Sequence, residues 1–98
     1  MDESAPASAV TFRLAPTTGL REAAAFRQSL LDLLAEAQTV VIDVSQVERV
    51  DTAALQLLYA FERERRARGA GVVWQGESAA FRNGVKTLGL PLGAARGA

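Results

Sequence analysis

The feature that most constrains the fold is a dense run of β-branched residues at 39–44, followed closely by a long apolar segment. The run is Thr-Val-Val-Ile-Asp-Val and has no helical period. Such a run is typical of a strand that is buried on both faces, which favours a parallel position in a sheet. From Ala53 to Phe61 only Gln56 is polar, which predicts a largely buried helix. A buried strand leading into a buried helix indicates an α/β fold.

The remaining segments continue this alternation of strands and helices. Residues 10–14 alternate apolar and polar side chains, which predicts a strand with one buried face. Residues 20–36 carry an apolar stripe, which predicts a helix with Thr18 or Gly19 as its N-cap. Residues 71–76 predict a third strand, and Ser78 caps a third helix that ends near residue 88.

The order strand–helix, repeated three times, predicts one domain over residues 10–90 with crossover connections between its strands. We expect residues 1–9 to form a flexible lead-in and residues 91–98 to form a flexible tail.

Alternating charges mark the end of the second helix. Glu62 and Arg66 have i,i+4 spacing, as do Glu64 and Arg68, with the acidic residue first in each pair. Gly69 then provides a C-cap. The pattern predicts a solvated helix end and not a nucleic-acid patch.

Composition argues against several function classes. The 11 basic and 11 acidic residues cancel, whereas a nucleic-acid binder carries a basic surplus. The absence of Cys and His excludes disulfides, Cys nucleophiles and His general bases. Without a metal-ligand cluster or a Gly-rich phosphate loop, we expect no metal, no cofactor and no enzymatic activity. No apolar stretch approaches ~18 residues, and no signal-peptide pattern is present, so we expect a cytoplasmic protein without direct membrane insertion.

Asp51 and Thr52 stand where the second helix begins, and either side chain can cap its unpaired N–H groups. A hydroxyl at this position should be partly exposed. Phosphorylation would add about −1.5 to −2 charges, which the helix dipole tolerates but Asp51 and an acidic partner surface repel. The local sequence therefore supports two interpretations of Thr52, as a switch in partner binding and as a simple N-cap.

Asp43 is the polar residue within the central strand. We expect it to lie near the strand end and to accept hydrogen bonds from backbone N–H groups of the next loop. Asp43 ends a strand and Asp51 begins the following helix, so the two could approach each other. Such a pair is similar to the acidic pocket of response-regulator receivers, but the chain lacks the acidic pair that receivers carry after their first strand.

The stretch from Val40 to Leu90 resembles the STAS family, whose domains are found in sulfate transporters and anti-sigma factor antagonists. The matching segments are VVIDVSQVERVDTAAL, QLLYAFERERRARG, VVWQG and SAAFRNGVKTLGL. They follow the family order of a strand ending in Asp, an Asp-Ser/Thr-x-Gly-Leu helix start, a charged helix end, a short strand and a small-residue helix. Ala54 stands where the family has Gly. The resemblance implies a single compact α/β domain, with a mixed β-sheet and helices packed mainly on one face.

The resemblance also implies roles for particular residues. In anti-sigma factor antagonists a partner kinase phosphorylates the Ser or Thr after the motif Asp, and that position is Thr52 here. The motif Asp is Asp51, and Asp43 closes the central strand beside the partner-binding surface. The residues that we expect to contact a partner are Asp43, Ser45, Asp51, Thr52, Ala53 and Gln56.

Three functions follow from the resemblance, all for a bacterial, non-enzymatic protein-binding module. The first is a regulator resembling an anti-sigma factor antagonist, with an anti-sigma factor or serine/threonine kinase-like partner and a switch at Thr52. The second is an accessory subunit of a lipid-trafficking ABC transporter, because the sequence at 51–55 also resembles the Asp-Thr-Gly-Gly-Leu form found there; Thr52 would then contact the ATPase without being phosphorylated. The third is an adaptor linked to chemotaxis or two-component signalling.

Overall fold

The structure is a computed structural model that describes residues 9–18, 20–90 and 92. The strands are β1 (Ala9–Arg13), β2 (Thr17–Thr18), β3 (Thr39–Asp43), β4 (Arg49–Val50) and β5 (Val72–Gln75). The α-helices are α1 (Ala23–Leu34), which follows a 3-10 turn at Leu20–Glu22, then α2 (Thr52–Ala67) and α3 (Ala79–Leu88). The predicted lead-in before residue 9 and the tail positions 91 and 93–98 lie outside the described residues.

A three-stranded parallel sheet with the order β1-β3-β5 forms the centre of the fold, and β2 pairs with β4 in a separate parallel ribbon. The prediction of a central parallel strand at 39–44 is confirmed. The mixed sheet that we expected is not seen in the part of the chain that the structure describes, where every strand pairing is parallel. The reason is that a helix connects each strand of the main sheet to the next and returns the chain in the same direction.

The hydrophobic core lies on one face of this sheet. Val40 pairs with Val10 and Val72 in register, so their side chains share that face, and Val40 is fully buried. All three helices add buried side chains to the same cluster, among them Phe26, Leu30, Leu55, Leu58, Phe61, Phe81 and Val85. On the opposite face Val73 is 50% exposed. The described helices therefore pack on one face, as expected.

The beginning of the first helix differs from the prediction. Thr18 lies in β2, where it pairs with Val50, and the α-helix begins only at Ala23 with Glu22 as an N-cap that makes no side-chain capping bond. Backbone pairing with a distant strand therefore overrides the local capping preference of threonine. The alternative cap, Gly19, lies outside the described residues.

Leu92, which the sequence placed in the tail, is fully buried in the core cluster. Gly89 ends α3 with a left-handed φ of 70°, and the N–H of Leu92 donates to the carbonyl of Leu90 at 2.9 Å. An apolar side chain is thereby returned to the core, which the small residues that follow it did not indicate.

Arg65 belongs to the charged end of α2 but is only 1% exposed. Its guanidinium donates to five backbone carbonyls, most closely to Glu36 at 2.6 Å and Gln38 at 2.9 Å. The other three acceptors are Leu33, Leu34 and Gly71. Arg65 therefore joins the end of α1, the loop into β3 and the loop into β5.

Glu62 is also buried and accepts a hydrogen bond from Nε1 of Trp74 at 3.0 Å. The predicted i,i+4 ion pairs are present, at 3.3 Å between Glu62 and Arg66 and at 3.4 Å between Glu64 and Arg68. The prediction of a solvated helix end is thus correct for the outer side chains and wrong for Arg65 and Glu62. These two lie on the side of α2 that faces the core.

We expect Arg65→Met to lower the free energy of unfolding by at least about 3 kcal/mol, because it removes a buried charged donor that five backbone carbonyls share. Arg63→Met on the exposed side of the same helix should cost no more than about 1 kcal/mol. Urea unfolding followed by Trp74 fluorescence measures both changes. Equal losses for the two variants would contradict the role given to Arg65.

Candidate functional site

Asp43 occupies the carboxyl end of β3 and is 4% exposed. Its Oδ1 accepts the backbone N–H of Ser45 at 2.9 Å, and its Oδ2 accepts from Nε of Arg13, its neighbour in register, at 3.2 Å. The hydrogen bonds from Ser45 and the charge of Arg13 hold the pKa of Asp43 below its ordinary value, although burial acts in the opposite direction. Asp43 therefore bonds the following loop as an ionised carboxylate, as the sequence predicted.

Gly76 closes the other side of this loop. It has a left-handed φ of 88°, and a Cβ at this position would lie 2.7 Å from Cβ of Ser45 and 2.8 Å from Oδ1 of Asp43. The N–H of Val44 donates to the carbonyl of Gln75 at 2.9 Å. The loop after β3 is therefore fixed by close contact with the end of β5.

The same loop leads to the start of α2 through a second anchor. Val47 is buried, and its carbonyl accepts a hydrogen bond from Oγ of Ser78 at 2.8 Å. Ser78 also caps α3 by accepting the N–H of Phe81 at 3.0 Å. The next two residues before the helix, Arg49 and Val50, form β4. The start of α2 is thus positioned by the sheet edge, by α3 and by the β2–β4 ribbon.

Asp51 is the N-cap of α2. Its backbone is extended, with φ −92° and ψ 172°, and its Oδ1 accepts the N–H of Ala54 at 3.1 Å. Thr52 is exposed, and no hydrogen bond to its hydroxyl is formed by any residue that the structure describes. Asp51 rather than Thr52 therefore accepts a hydrogen bond from a backbone N–H of the first helical turn. The Thr52 hydroxyl is left for other contacts.

The exposed side of α2 continues from this turn. Ala53 and Gln56 are exposed, and Arg63 places its guanidinium 5.6 Å from the ring centroid of Tyr59. Ala54, by contrast, is buried in the core. Its methyl group, which replaces the hydrogen of the family glycine, therefore faces away from the exposed surface that carries Thr52.

The predicted site residues form two groups. Thr52, Ala53 and Gln56 share the exposed beginning of α2, next to the half-buried Asp51. Asp43 ends β3, where it binds Arg13 and the N–H of the exposed Ser45, and Gly76 lies close to both residues. No hydrogen bond or ion pair within residues 9–18, 20–90 and 92 joins Asp43 to Asp51, so nothing supports an acidic pocket between them.

Sequence reasoning did not identify Arg13 and Gly76 as part of this region. Arg13 is the last residue of β1, and Gly76 directly follows β5. Because the carboxyl ends of parallel strands meet at one edge of a sheet, the positions of both residues at the carboxyl ends of predicted strands were a usable signal.

Residues 9–18, 20–90 and 92 contain neither a metal-binding cluster nor a membrane-spanning helix. There, no three His, Cys, Asp or Glu residues come together in a way that could hold a metal ion. Over the same residues, no helix has the length and apolarity needed to cross a membrane.

These observations describe a small parallel α/β domain with an exposed threonine beside a helix-capping aspartate. The family model described as "Mlab, STAS domain" matches residues 1–91. The chain belongs to the STAS domain family, and the resemblance found in its sequence is confirmed.

Solved structures share this fold. That of the anti-sigma factor antagonist SpoIIAA in its unphosphorylated form matches with a TM-score of 0.71 at 17% identity, over 90% of this chain and 78% of that one. The crystal structure of Mglu matches with a TM-score of 0.63 at 23% identity; the match covers 80% of this chain but only 19% of that one. At such identities the likeness shows the fold alone. No curated protein matches the chain significantly.

We expect Asp43→Asn to lower the free energy of unfolding at neutral pH by about 1–2 kcal/mol, because charge-assisted bonds to Ser45 and Arg13 are weakened. The folded-state pKa of Asp43 lies below its ordinary value of 3.8, so its carboxylate stabilises the fold above that pH, and this contribution is lost as the pH falls through the lower folded-state pKa. The difference in free energy of unfolding between wild type and Asp43→Asn should therefore become smaller as the pH is lowered.

Urea unfolding at pH 7 and below pH 3.8 tests this, with Asp32→Asn on the exposed face of α1 as the control. If wild type and Asp43→Asn differed in free energy of unfolding by the same amount at both pH values, the stabilising role given to the Asp43 carboxylate would be contradicted.

We expect Gly76→Ala to cost at least about 2 kcal/mol of stability, because a left-handed backbone and a close contact with Ser45 both oppose a Cβ. Gly69 is a matched control, since its φ is 77° but a Cβ would meet nothing within 4 Å. Gly69→Ala should therefore cost only about 1 kcal/mol. Thermal unfolding measures the loss of stability in each variant. Equal losses would exclude the close contact with Ser45 as the cause.

Proposed function

We propose that this chain is a bacterial, cytoplasmic, non-enzymatic regulator that binds a protein partner through the beginning of α2, and that phosphorylation of Thr52 weakens this binding. The observation that carries the proposal is the free Thr52 hydroxyl, which is exposed while Asp51 caps the helix. Membership of the STAS family supports a role of this kind. The partner is an anti-sigma factor or a serine/threonine kinase-like protein.

The partner surface comprises the exposed Ser45, Thr52, Ala53 and Gln56 together with the half-buried Asp51. Asp43 contributes indirectly, because its carboxylate is buried and holds the backbone of Ser45 in place. Three of the exposed residues belong to the first two turns of a helix whose opposite side is packed in the core. Such a surface is rigid before the partner binds, which lowers the entropic cost of association.

The switch is a phosphoryl transfer. Thr52 Oγ1 attacks the γ-phosphorus of ATP bound to the kinase, the bond to the bridging oxygen breaks and ADP leaves, while the hydroxyl proton passes to a base of the kinase. The product carries about −1.5 to −2 charges directly beside Asp51. The helix N-terminus tolerates this charge, whereas an acidic partner surface is repelled. The fold is retained because the modified side chain lies outside the core.

A second candidate is the accessory subunit of a phospholipid-trafficking ABC transporter. It is favoured by the threonine form of the motif at 51–55. In that role Thr52 contacts the ATPase directly and carries no phosphate. An adaptor linked to chemotaxis or two-component signalling would use the same surface with a different protein.

The deciding experiment is a pull-down with the tagged full chain from its native host, with mass spectrometry of the partners and of the Thr52 peptide. The recovered partner is then titrated with the wild-type chain and with Thr52→Glu, Thr52→Ala and the control Thr87→Glu, which alters an exposed threonine on α3. We expect Thr52→Glu to weaken binding at least about tenfold, and Thr87→Glu and Thr52→Ala to retain it.

The variants should remain folded, with stability changes within about 0.5 kcal/mol, because Thr52 is exposed and is not the cap. An unmodified Thr52, together with an ATPase whose binding is weakened by Thr52→Ala, would replace the switch with the transporter role. Full binding by Thr52→Glu to a kinase-like partner would contradict the switch.

A further inference from the structure

A groove of about 390 Å³ between α1 and α2 lies outside the site described above. Its floor is apolar and is formed by Leu30 and Leu34 of α1 and by Leu57 and Phe61 of α2. Leu31, on its wall, is 41% exposed. Apolar surface that remains exposed between two packed helices marks a position where a further element can be accommodated.

The rim of the groove carries a surplus of positive charge. Arg27 lies on the α1 side, while Glu64 and Arg68 lie on the α2 side and pair with each other at 3.4 Å. No carboxylate within the described part of the chain pairs with Arg27. An acidic group placed above the groove would therefore complement the rim.

The groove is continuous with the beginning of α2. Ala53, Leu57, Ala60 and Glu64 follow one another at steps of four, three and four residues, so they share one side of the helix. Ala53 is exposed next to Thr52, and Ala60 lies in the groove. A partner that contacts the first turn of α2 can thus extend along the same side into the groove.

We propose that the groove binds an amphipathic helix of the protein partner, which places apolar side chains against Leu31 and Ala60 and an acidic side chain near Arg27. Docking of this kind uses apolar anchors at i, i+3 or i+4 and i+7 spacing, with charged residues at the edges. The inference rests on the proposed binding of a protein partner, but it does not depend on phosphorylation of Thr52.

The test uses two synthetic helical peptides that carry leucines at i, i+3 and i+7 and differ only in having Glu or Lys at the flanking positions. Each is titrated into the ¹⁵N-labelled full chain and followed by NMR. We expect the acidic peptide to shift the amide signals of Leu31 and Ala60 and to bind several-fold more tightly than the basic peptide. Arg27→Glu should reverse this preference, while Arg21→Glu, an exposed change before α1, should not.

Leu31→Asp should weaken binding of the acidic peptide at least about tenfold, because it places a charge against the apolar floor. Val73→Asp is the matched control, since Val73 is an exposed apolar residue on the helix-free face of the sheet. Equal affinity for both peptides, or shifts confined to other surfaces, would overturn the inference. So would self-association in sedimentation that Leu31→Asp removes, because the occupant would then be a second copy of this chain.

The partner recovered in the pull-down separates this inference from the switch. Loss of binding with Leu31→Asp but not with Thr52→Glu would support the groove and reject the switch. Loss with Thr52→Glu but not with Leu31→Asp would keep the proposed function and reject the groove.

Discussion

The fold depends on one buried cation. The guanidinium of the buried Arg65 donates hydrogen bonds to carbonyls at the end of α1, in the loop before β3 and in the loop before β5. No carboxylate is among these acceptors, so the positive charge is balanced by carbonyl dipoles, including those at the C-terminus of α1. Among the residues that the structure describes, its Nε has no hydrogen-bond partner. The arrangement holds the C-terminal ends of α1 and α2 at the end of the sheet where β3 and β5 begin.

At the opposite end of the sheet a carboxylate has the corresponding role. Asp43 bonds the loop after β3 and pairs with Arg13, while Gly76 allows β5 to end against that loop. The loop then runs to Val47 and β4, from which α2 begins. Fixed groups at the two ends of the sheet therefore determine both where α2 starts and where it ends. The orientation of its exposed side, and with it the position of Thr52, follows from these two anchors.

Asp51 and Thr52, which are adjacent at the start of α2, have different roles. Asp51 satisfies a backbone N–H of the first turn, so the helix does not require the hydroxyl of Thr52. A modification of Thr52 can therefore change the charge of the surface without removing a contact of the fold. The groove between α1 and α2 extends this surface along the same helix. In the proposed function, the charge-sensitive contact at Thr52 and the apolar groove between α1 and α2 would belong to one continuous binding surface, which suits a partner that is both bound and released.

The local sequence was sufficient to predict the central strand at 39–44, the start of α2 at 51–52 and the pairing of Glu62 with Arg66, because these features depend on residues close together in the chain. It did not determine the burial of Arg65, whose acceptor on Glu36 lies 29 residues earlier. Nor did it determine that Thr18 forms a strand, that Leu92 joins the core or that Arg13 pairs with Asp43. It left open which of Asp51 and Thr52 caps α2. Local sequence patterns indicate periodicity and capping preference. Contacts between groups from distant segments form only in the folded chain, so these patterns do not predict them.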